Sequence, residues 1–203
     1  MSDQKQHAQK LYKLLCREKE DIQQGLLLLE TLISDEVIFQ YFTQKVYVKS
    51  DGHVYHSGRV LGVNPLHFDT AVHILAILFT ENQSLKQSIR KLDLSKFSKK
   101  EMLPMELGEL TNLEELHINS ASHTDKPTVL PFWLENLPNL QKLSICGWNI
   151  TQIPTYLEHL KYLRIRNNFR IKSIPIEILL KKSKAFQLSF LELYESTNRH
   201  KEK

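Results

Sequence analysis

Apolar and polar positions alternate in three short stretches of the chain that share the same order of residue types. Residues 113–118, 140–145 and 160–165 each read apolar-x-x-apolar-x-apolar. In an extended chain, alternation places successive side chains on opposite faces. The pattern therefore predicts three short strands, each with two buried apolar side chains and polar side chains on the other face.

Two weaker copies of the phrase, at residues 91–94 and 187–190, extend the pattern in both directions. The leucines at its fourth position are 24, 27, 20 and 25 residues apart, at Leu92, Leu116, Leu143, Leu163 and Leu188. Leu-x-x-Leu steps and a proline near the start of each intervening segment are typical of a short helix. We interpret each interval as one strand followed by one return segment.

In this leucine frame the chain resembles leucine-rich repeat proteins of the short, bacterial and plant-like type, whose repeats read roughly L-x-x-L-x-L-x-x-N-x-L-x-x-L-P. The resemblance implies an α/β solenoid of about four to five coils over residues 85–195, with parallel strands on a concave face. Short helices or irregular turns would form the convex face, and residues 196–203 a flexible polar tail. The asparagine position departs from the pattern. Only Asn168 matches it, and the other repeats have Phe97, Ala121 and Trp148 there.

The first part of the chain, residues 1–84, reads as a helical region. Apolar residues recur at helical spacing in residues 4–17, in 21–33 with Asp21 as the expected cap, from Ser34 or Asp35 onward, and in 65–79. Residues 46–63 predict a β-hairpin or an ordered loop, because β-rich stretches flank a turn signal. Asn82 is expected to cap a further short helix. Because the end coil of a solenoid exposes its apolar interior, we expect residues 1–84 to cap the first coil.

Composition places the chain among ordinary globular proteins. It has 203 residues, of which 41% are hydrophobic and 25% charged. The first six residues contain no apolar core, so no signal peptide is expected, and the apolar runs are too short for a membrane span. Cys16 and Cys146 lie far apart in the sequence and are interpreted as reduced thiols. We therefore expect a cytoplasmic protein that does not enter a membrane.

The net charge of +4 is unevenly distributed along the chain. Residues 1–84 contain 8 Lys and Arg against 10 Asp and Glu, whereas residues 85–203 contain 19 against 13. The repeat half is therefore basic. Its cations are not clustered in sequence as in a typical nucleic-acid binder, which makes nucleic acid the less favoured partner.

The sequence offers little that is typical of an enzyme. The one candidate metal cluster is formed by His53, His56, His67 and His73. No cysteine or carboxylate pair accompanies it at zinc spacing, so we interpret these residues as ordinary loop and helix histidines. No glycine-rich phosphate loop, calcium loop or nucleophile elbow is present. We expect no catalytic residues, no metal and no cofactor.

The polar positions of the predicted strands form the candidate binding surface. In strand order they are Lys91, Asp93, Glu115, His117, Asn119, Lys142, Ser144, Tyr162, Arg164 and Arg166. The resemblance implies that they lie on the concave face, where such solenoids bind their partners. We expect Lys142, Arg164 and Arg166 to crowd together, with Glu115 one strand further away.

Two functional interpretations follow from that surface. The favoured one is a non-enzymatic protein-binding module whose partner has an acidic surface, because tyrosine and arginine are enriched in binding hot spots. The alternative is a module that binds nucleic acid or another anionic ligand through the basic repeat half. The oligomeric state stays open.

Overall fold

The computed structural model describes residues 3–56, 66–97, 103–119, 129–148, 150–166, 171 and 173–179, without the side chains of Asn119 and Leu179. It is a mixed α/β structure in which helices precede a four-stranded parallel sheet. The fifth copy of the phrase (residues 187–190), Ala121 and Asn168 of the asparagine positions, and the expected tail all lie outside the described residues.

Three helices open the chain: α1 (Asp3–Leu15), α2 (Lys19–Leu32) and α3 (Glu36–Thr43). The start of α2 was predicted incorrectly. Asp21 lies inside its first turn, where a carboxylate interacts favourably with the helix dipole without capping the helix. Asp35 does cap α3, since its side chain accepts hydrogen bonds from the backbone N–H groups of Val37 and Ile38 at 2.9 and 3.1 Å.

A small antiparallel hairpin follows, formed by β1 (Val46–Val48) and β2 (Val54–His56). Its turn contains Gly52 at a φ of 92°, a conformation that glycine adopts without steric cost. The predicted hairpin at residues 46–63 is thus confirmed for its first part, and residues 57–63 lie outside the described range.

Helix α4 (Phe68–Glu81) lies at the centre of the helical region. It was expected at residues 65–79 but begins three residues later, at Phe68. Nine of its residues are buried. It packs against α2, α3, the hairpin and the first return segment of the sheet, which explains why its apolar residues are not confined to one face. Asn82 then caps the short α5 (Gln83–Ser88) through a 2.8 Å bond from the backbone N–H of Leu85, as predicted.

The parallel sheet has the order of the sequence: β3 (Lys91–Leu94), β4 (Glu115–Asn119), β5 (Lys142–Cys146) and β6 (Tyr162–Arg166). Equivalent positions of the phrase pair with one another throughout, since Leu92 aligns with Leu116, Leu143 and Leu163. The inward side chains are at most 1% exposed, at Leu92, Leu94, Leu116, Ile118, Leu143, Ile145, Leu163 and Ile165. The strands and their inward faces are therefore confirmed.

The return segments contain short 3₁₀ helices: η1 (Met105–Glu109), η2 (Phe132–Asn136) and η3 (Thr155–His159). Each begins directly after a proline, whose missing N–H would have no partner at that position anyway. Each buries a leucine beneath the sheet, at Leu107, Leu134 and Leu157. A fourth segment ends in the single-turn α6 (Ile176–Leu179).

One continuous apolar core joins the helical region to the sheet, from Ala8 to Ile178. Phe97 and Trp148, at two of the asparagine positions, are buried in it, as is Trp133 on a return segment. The indole N–H groups of both tryptophans are buried and have no hydrogen-bond partner among the described residues. The large apolar side chains of Phe97 and Trp148 therefore fill the two turns in which the repeat pattern has asparagine. No helix within the described ranges is both long and apolar enough to cross a membrane.

Candidate binding face

The face of the sheet opposite the buried leucines carries rows of polar side chains, and we call it the polar face. It comprises the ten predicted residues Lys91, Asp93, Glu115, His117, Asn119, Lys142, Ser144, Tyr162, Arg164 and Arg166. All ten lie at alternate positions of the four paired strands. Since successive side chains of a strand point to opposite faces, these positions share one face of the sheet. For Asn119 only the backbone is described.

The first row runs across the sheet through Lys91, Glu115, Lys142 and Tyr162. The Glu115 carboxylate lies at its centre, 3.6 Å from the Lys91 Nζ and 3.6 Å from the Lys142 Nζ. It also accepts a 2.9 Å hydrogen bond from Nε2 of His117 in the next row. These contacts, the bond from His117 first, hold the pKa of Glu115 below its ordinary value although partial burial opposes them.

The second row contains Asp93, His117, Ser144 and Arg164. Asp93 lies at the sheet edge, and two contacts hold its carboxylate. One oxygen accepts a 2.8 Å hydrogen bond from the Ser95 backbone N–H, and the other lies 3.1 Å from Nδ1 of His53. In this row Ser144 is half-buried and small. Arg164 lies opposite Ser144 on the neighbouring strand.

The third row pairs Asn119, Cys146 and Arg166 at the carboxyl ends of the strands. Cys146 is half-buried, as expected for an outward position, and Arg166 is exposed. Arg164 and Arg166 occupy alternate positions of β6, so their Cα atoms are roughly 7 Å apart along the strand. β6 is the last strand of the sheet within the described part of the chain.

The expected crowding of three cations is borne out in part. Lys142 lies on β5, adjacent to Arg164 and Arg166 on β6, but it is opposite Tyr162 while Arg164 is opposite Ser144, so Lys142 and Arg164 are diagonal neighbours. Glu115 lies one strand further away, on β4, as expected, and there it faces Lys142 and pairs with it. The exact alignment of strands whose return segments differ in length decides these neighbours. The cationic corner of the polar face therefore consists of Arg164 and Arg166.

The hairpin extends the sheet at the opposite edge, which the sequence did not indicate. The backbone N–H of Asp93 donates to the Gly52 carbonyl at 2.8 Å, and His53 forms a parallel bridge with Asp93. Glycine is required at position 52 for two reasons. Its φ is positive, and a Cβ would lie 2.9 Å from the Lys91 Cβ. Two residues missed as site candidates, Lys49 and Lys96, thereby reach the edge of the polar face.

A groove of about 410 Å³ lies between the hairpin, the start of α4 and the end of β3. The Nδ1 atom of His56 is buried there and has no hydrogen-bond partner among the described residues. Burial, and then the charge of Lys96, lowers the pKa of His56, so its ring is neutral at physiological pH. Among the residues that the structure describes, no three His, Cys, Asp or Glu side chains converge as metal ligands would. His67 directly precedes α4 and His73 lies within it.

Searches of protein-family models, curated proteins and solved structures found no match to this chain.

Proposed function

We propose that the chain is a leucine-rich repeat protein of the short type, whose polar face binds a protein partner without catalysing a reaction. The spacing of register-matched leucines by 24, 27 and 20 residues supports the repeat assignment. So does the shared order of strand, proline and 3₁₀ helix in each interval. The helical region would then cap the first coil, and the convex face would consist of the return segments.

One observation carries the binding proposal: four strands align their polar side chains into continuous rows that end in Tyr162, Arg164 and Arg166. Tyr162, Arg164 and Arg166 occupy alternate positions of one strand. Tyrosine offers apolar area with little entropy to lose, and arginine binds carboxylates through two parallel hydrogen bonds. We infer a cytoplasmic protein partner with an acidic patch, held at this corner and aligned by the charged first row.

The charge of the other rows supports a protein over a nucleic acid. Lys91 and Lys142 pair with Glu115, and Asp93 adds a second carboxylate to the face. Phosphate backbones bind faces on which cations are not offset by acids. A face with charges of both signs instead favours specific binding, because a partner with a different charge pattern would bring like charges together. Binding of a nucleic acid or another anionic ligand through Arg164 and Arg166 is the alternative.

The test compares affinity capture by the wild-type chain with capture by the double variant Arg164→Glu, Arg166→Glu, using extracts of the source cell and mass spectrometry. A control, Lys5→Glu, Lys19→Glu, changes the net charge equally on α1 and α2. Captured proteins that bind the wild type and the control but not the β6 variant are the expected result. Equal capture by a well-folded β6 variant would move the binding site elsewhere.

The alternative is tested with the purified proteins and a labelled oligonucleotide at several salt concentrations. Phosphate binding weakens steeply as salt increases, in proportion to the number of phosphates neutralised. We expect no such steep loss for the captured protein. Tight oligonucleotide binding that is lost in the β6 variant would favour the alternative function.

A further inference from the structure

A second, apolar groove lies on the opposite part of the molecule, between α1 and α2. It has a volume of about 600 Å³, and its apolar lining includes Leu14 of α1 and Leu28 and Leu32 of α2. Leu28 is 47% exposed and Leu32 is 41% exposed, whereas Leu29 of the same helix is completely buried. Leu28 and Leu32 are four residues apart and therefore lie on the same face of the helix.

The rim of this groove carries charges of one sign. Lys10 and Lys13 line it from α1, Arg17 lines it from two residues beyond the end of that helix, and His7 lines its far end. Among the described residues no aspartate or glutamate lines it, and Asp21 is 4.0 Å from the Arg17 guanidinium in an exposed pair. An exposed pair at that distance neutralises little of the rim. The groove thus combines an apolar floor with a basic edge.

We propose that the groove between α1 and α2 binds an acidic amphipathic helix of a partner protein. A helix that places leucine-like residues on one face fills such a groove with i, i+3, i+4 and i+7 anchors. Carboxylates flanking that face meet Lys10, Lys13 and Arg17. The rim runs along α1 from His7 to its end at Leu15, about 12 Å, and Arg17 lies two residues beyond, which matches between two and three turns of the bound helix.

The shape of the site favours a helix over an anionic membrane. A membrane surface is contacted by a convex apolar face that inserts between headgroups. Here Leu14 of α1 and Leu28 and Leu32 of α2 line a concave groove together with the basic side chains of α1. A helix laid along the groove covers the apolar residues of both helices. The groove is on the helical region, so its partner need not be the protein held by the polar face.

The probe is a fluorescent, end-blocked peptide of about 20 residues, long enough to form a helix, with leucines at helical spacing and glutamates elsewhere. Binding to the full chain is measured by anisotropy. Two other ligands are compared: the same peptide with lysine in place of glutamate, and phosphatidylcholine vesicles containing phosphatidylserine.

Matched variants localise the site. Leu28→Glu places a charge in the groove, whereas Leu27→Glu changes a neighbouring leucine that is 63% exposed and outside the lining. Similarly, Lys10→Glu reverses a rim charge and Lys5→Glu reverses a charge on α1 away from the rim. We expect Leu28→Glu to weaken the acidic peptide at least about tenfold and Lys10→Glu severalfold, with both controls near the wild-type affinity.

Three outcomes would overturn the proposal. They are no binding of the acidic peptide, equal effects of the groove and control variants, and equal or better binding of the lysine peptide or the vesicles. Because the readout is peptide affinity, loss of folding is checked separately by circular dichroism. The Arg164→Glu, Arg166→Glu variant should bind this peptide normally, which separates the groove from the polar face.

Discussion

At the scale of single residues, Glu115 organises the charges of the polar face. Its carboxylate contacts Lys91 and Lys142 on the two neighbouring strands and His117 on its own strand. The side chain is 20% exposed, so these contacts are only partly screened by water. Removing its charge would leave three potential cations facing one another across the first two rows.

Glu115→Gln is therefore predicted to destabilise the fold at neutral pH by about 0.5–1 kcal/mol. Because the folded-state pKa lies below the ordinary value of 4.5, the charged form is favoured by folding. Its contribution is present above pH 4.5 and is lost as the pH falls through the lowered pKa. Urea unfolding at a series of pH values should show the difference between variant and wild type shrinking toward zero in acid.

Glu114→Gln is the control for that series. Glu114 is 48% exposed and lies 3.6 Å from a single, exposed partner, Arg90. We expect its substitution to change the free energy of unfolding by a few tenths of a kcal/mol at most. Equal stability of wild type and Glu115→Gln at pH 7 would contradict the role assigned to Glu115.

The alternation of residues sufficed to predict which side chains occupy the polar face but not which of them pair. The spacing of the leucines correctly placed Lys142 and Arg164 on adjacent strands. Within that register Tyr162 lies directly beside Lys142, and Arg164 lies on the diagonal. Which of these neighbours touch depends on the lengths and rotamers of the side chains, and the hydrophobic pattern does not specify them.

At the scale of elements, the strands were predicted well because each one follows a period-two pattern closed by proline-containing segments. The docking of the hairpin on β3 had no signal in the sequence. It depends on Gly52, where a missing Cβ allows two backbones to approach. Helix α4 was displaced from its expected bounds because it is buried on several sides, and an all-round apolar helix has no stripe to mark its start.

The return segments pack against each other through a similar close approach. A Cβ on Gly108 of η1 would lie 2.7 Å from the Cβ of Trp133 in η2. Gly108→Ala is predicted to cost about 1–3 kcal/mol, because the tryptophan must shift within a filled core. Met105→Ala on the same 3₁₀ helix is the control, since Met105 is 62% exposed and should tolerate truncation within about 0.5 kcal/mol. Thermal unfolding of both variants measures the difference. Equal stability of the two would show that η1 and η2 are loosely packed.

At the scale of the whole molecule, the helical region and the sheet share one core. Helix α4 packs against η1, and β2 lies beside β3, so the edge of the sheet nearest the N-terminus is covered. Leu92 and Leu94 of β3 are completely buried. Apolar area of this kind is stable in water only while its cover is present.

Removal of residues 1–84 is therefore predicted to leave a fragment, 85–203, that aggregates or unfolds at lower temperature than the full chain. Size-exclusion chromatography and thermal unfolding monitored by circular dichroism provide the measurement, with the intact chain as reference. A monomeric fragment that unfolds cooperatively at the full-length temperature would show that the helices form an independent domain.

The regular order of the sheet also governs how the chain can reach its fold. Each strand pairs with the one that precedes it by 20 to 27 residues, so only short stretches of chain must close for each new pairing. Chains built from such near contacts fold faster than chains whose strands pair across the whole sequence. On the ribosome the strands emerge in the order in which they pair. The neighbour with which each strand pairs is therefore synthesised before it. In the same way, the hairpin and α4 are synthesised before β3.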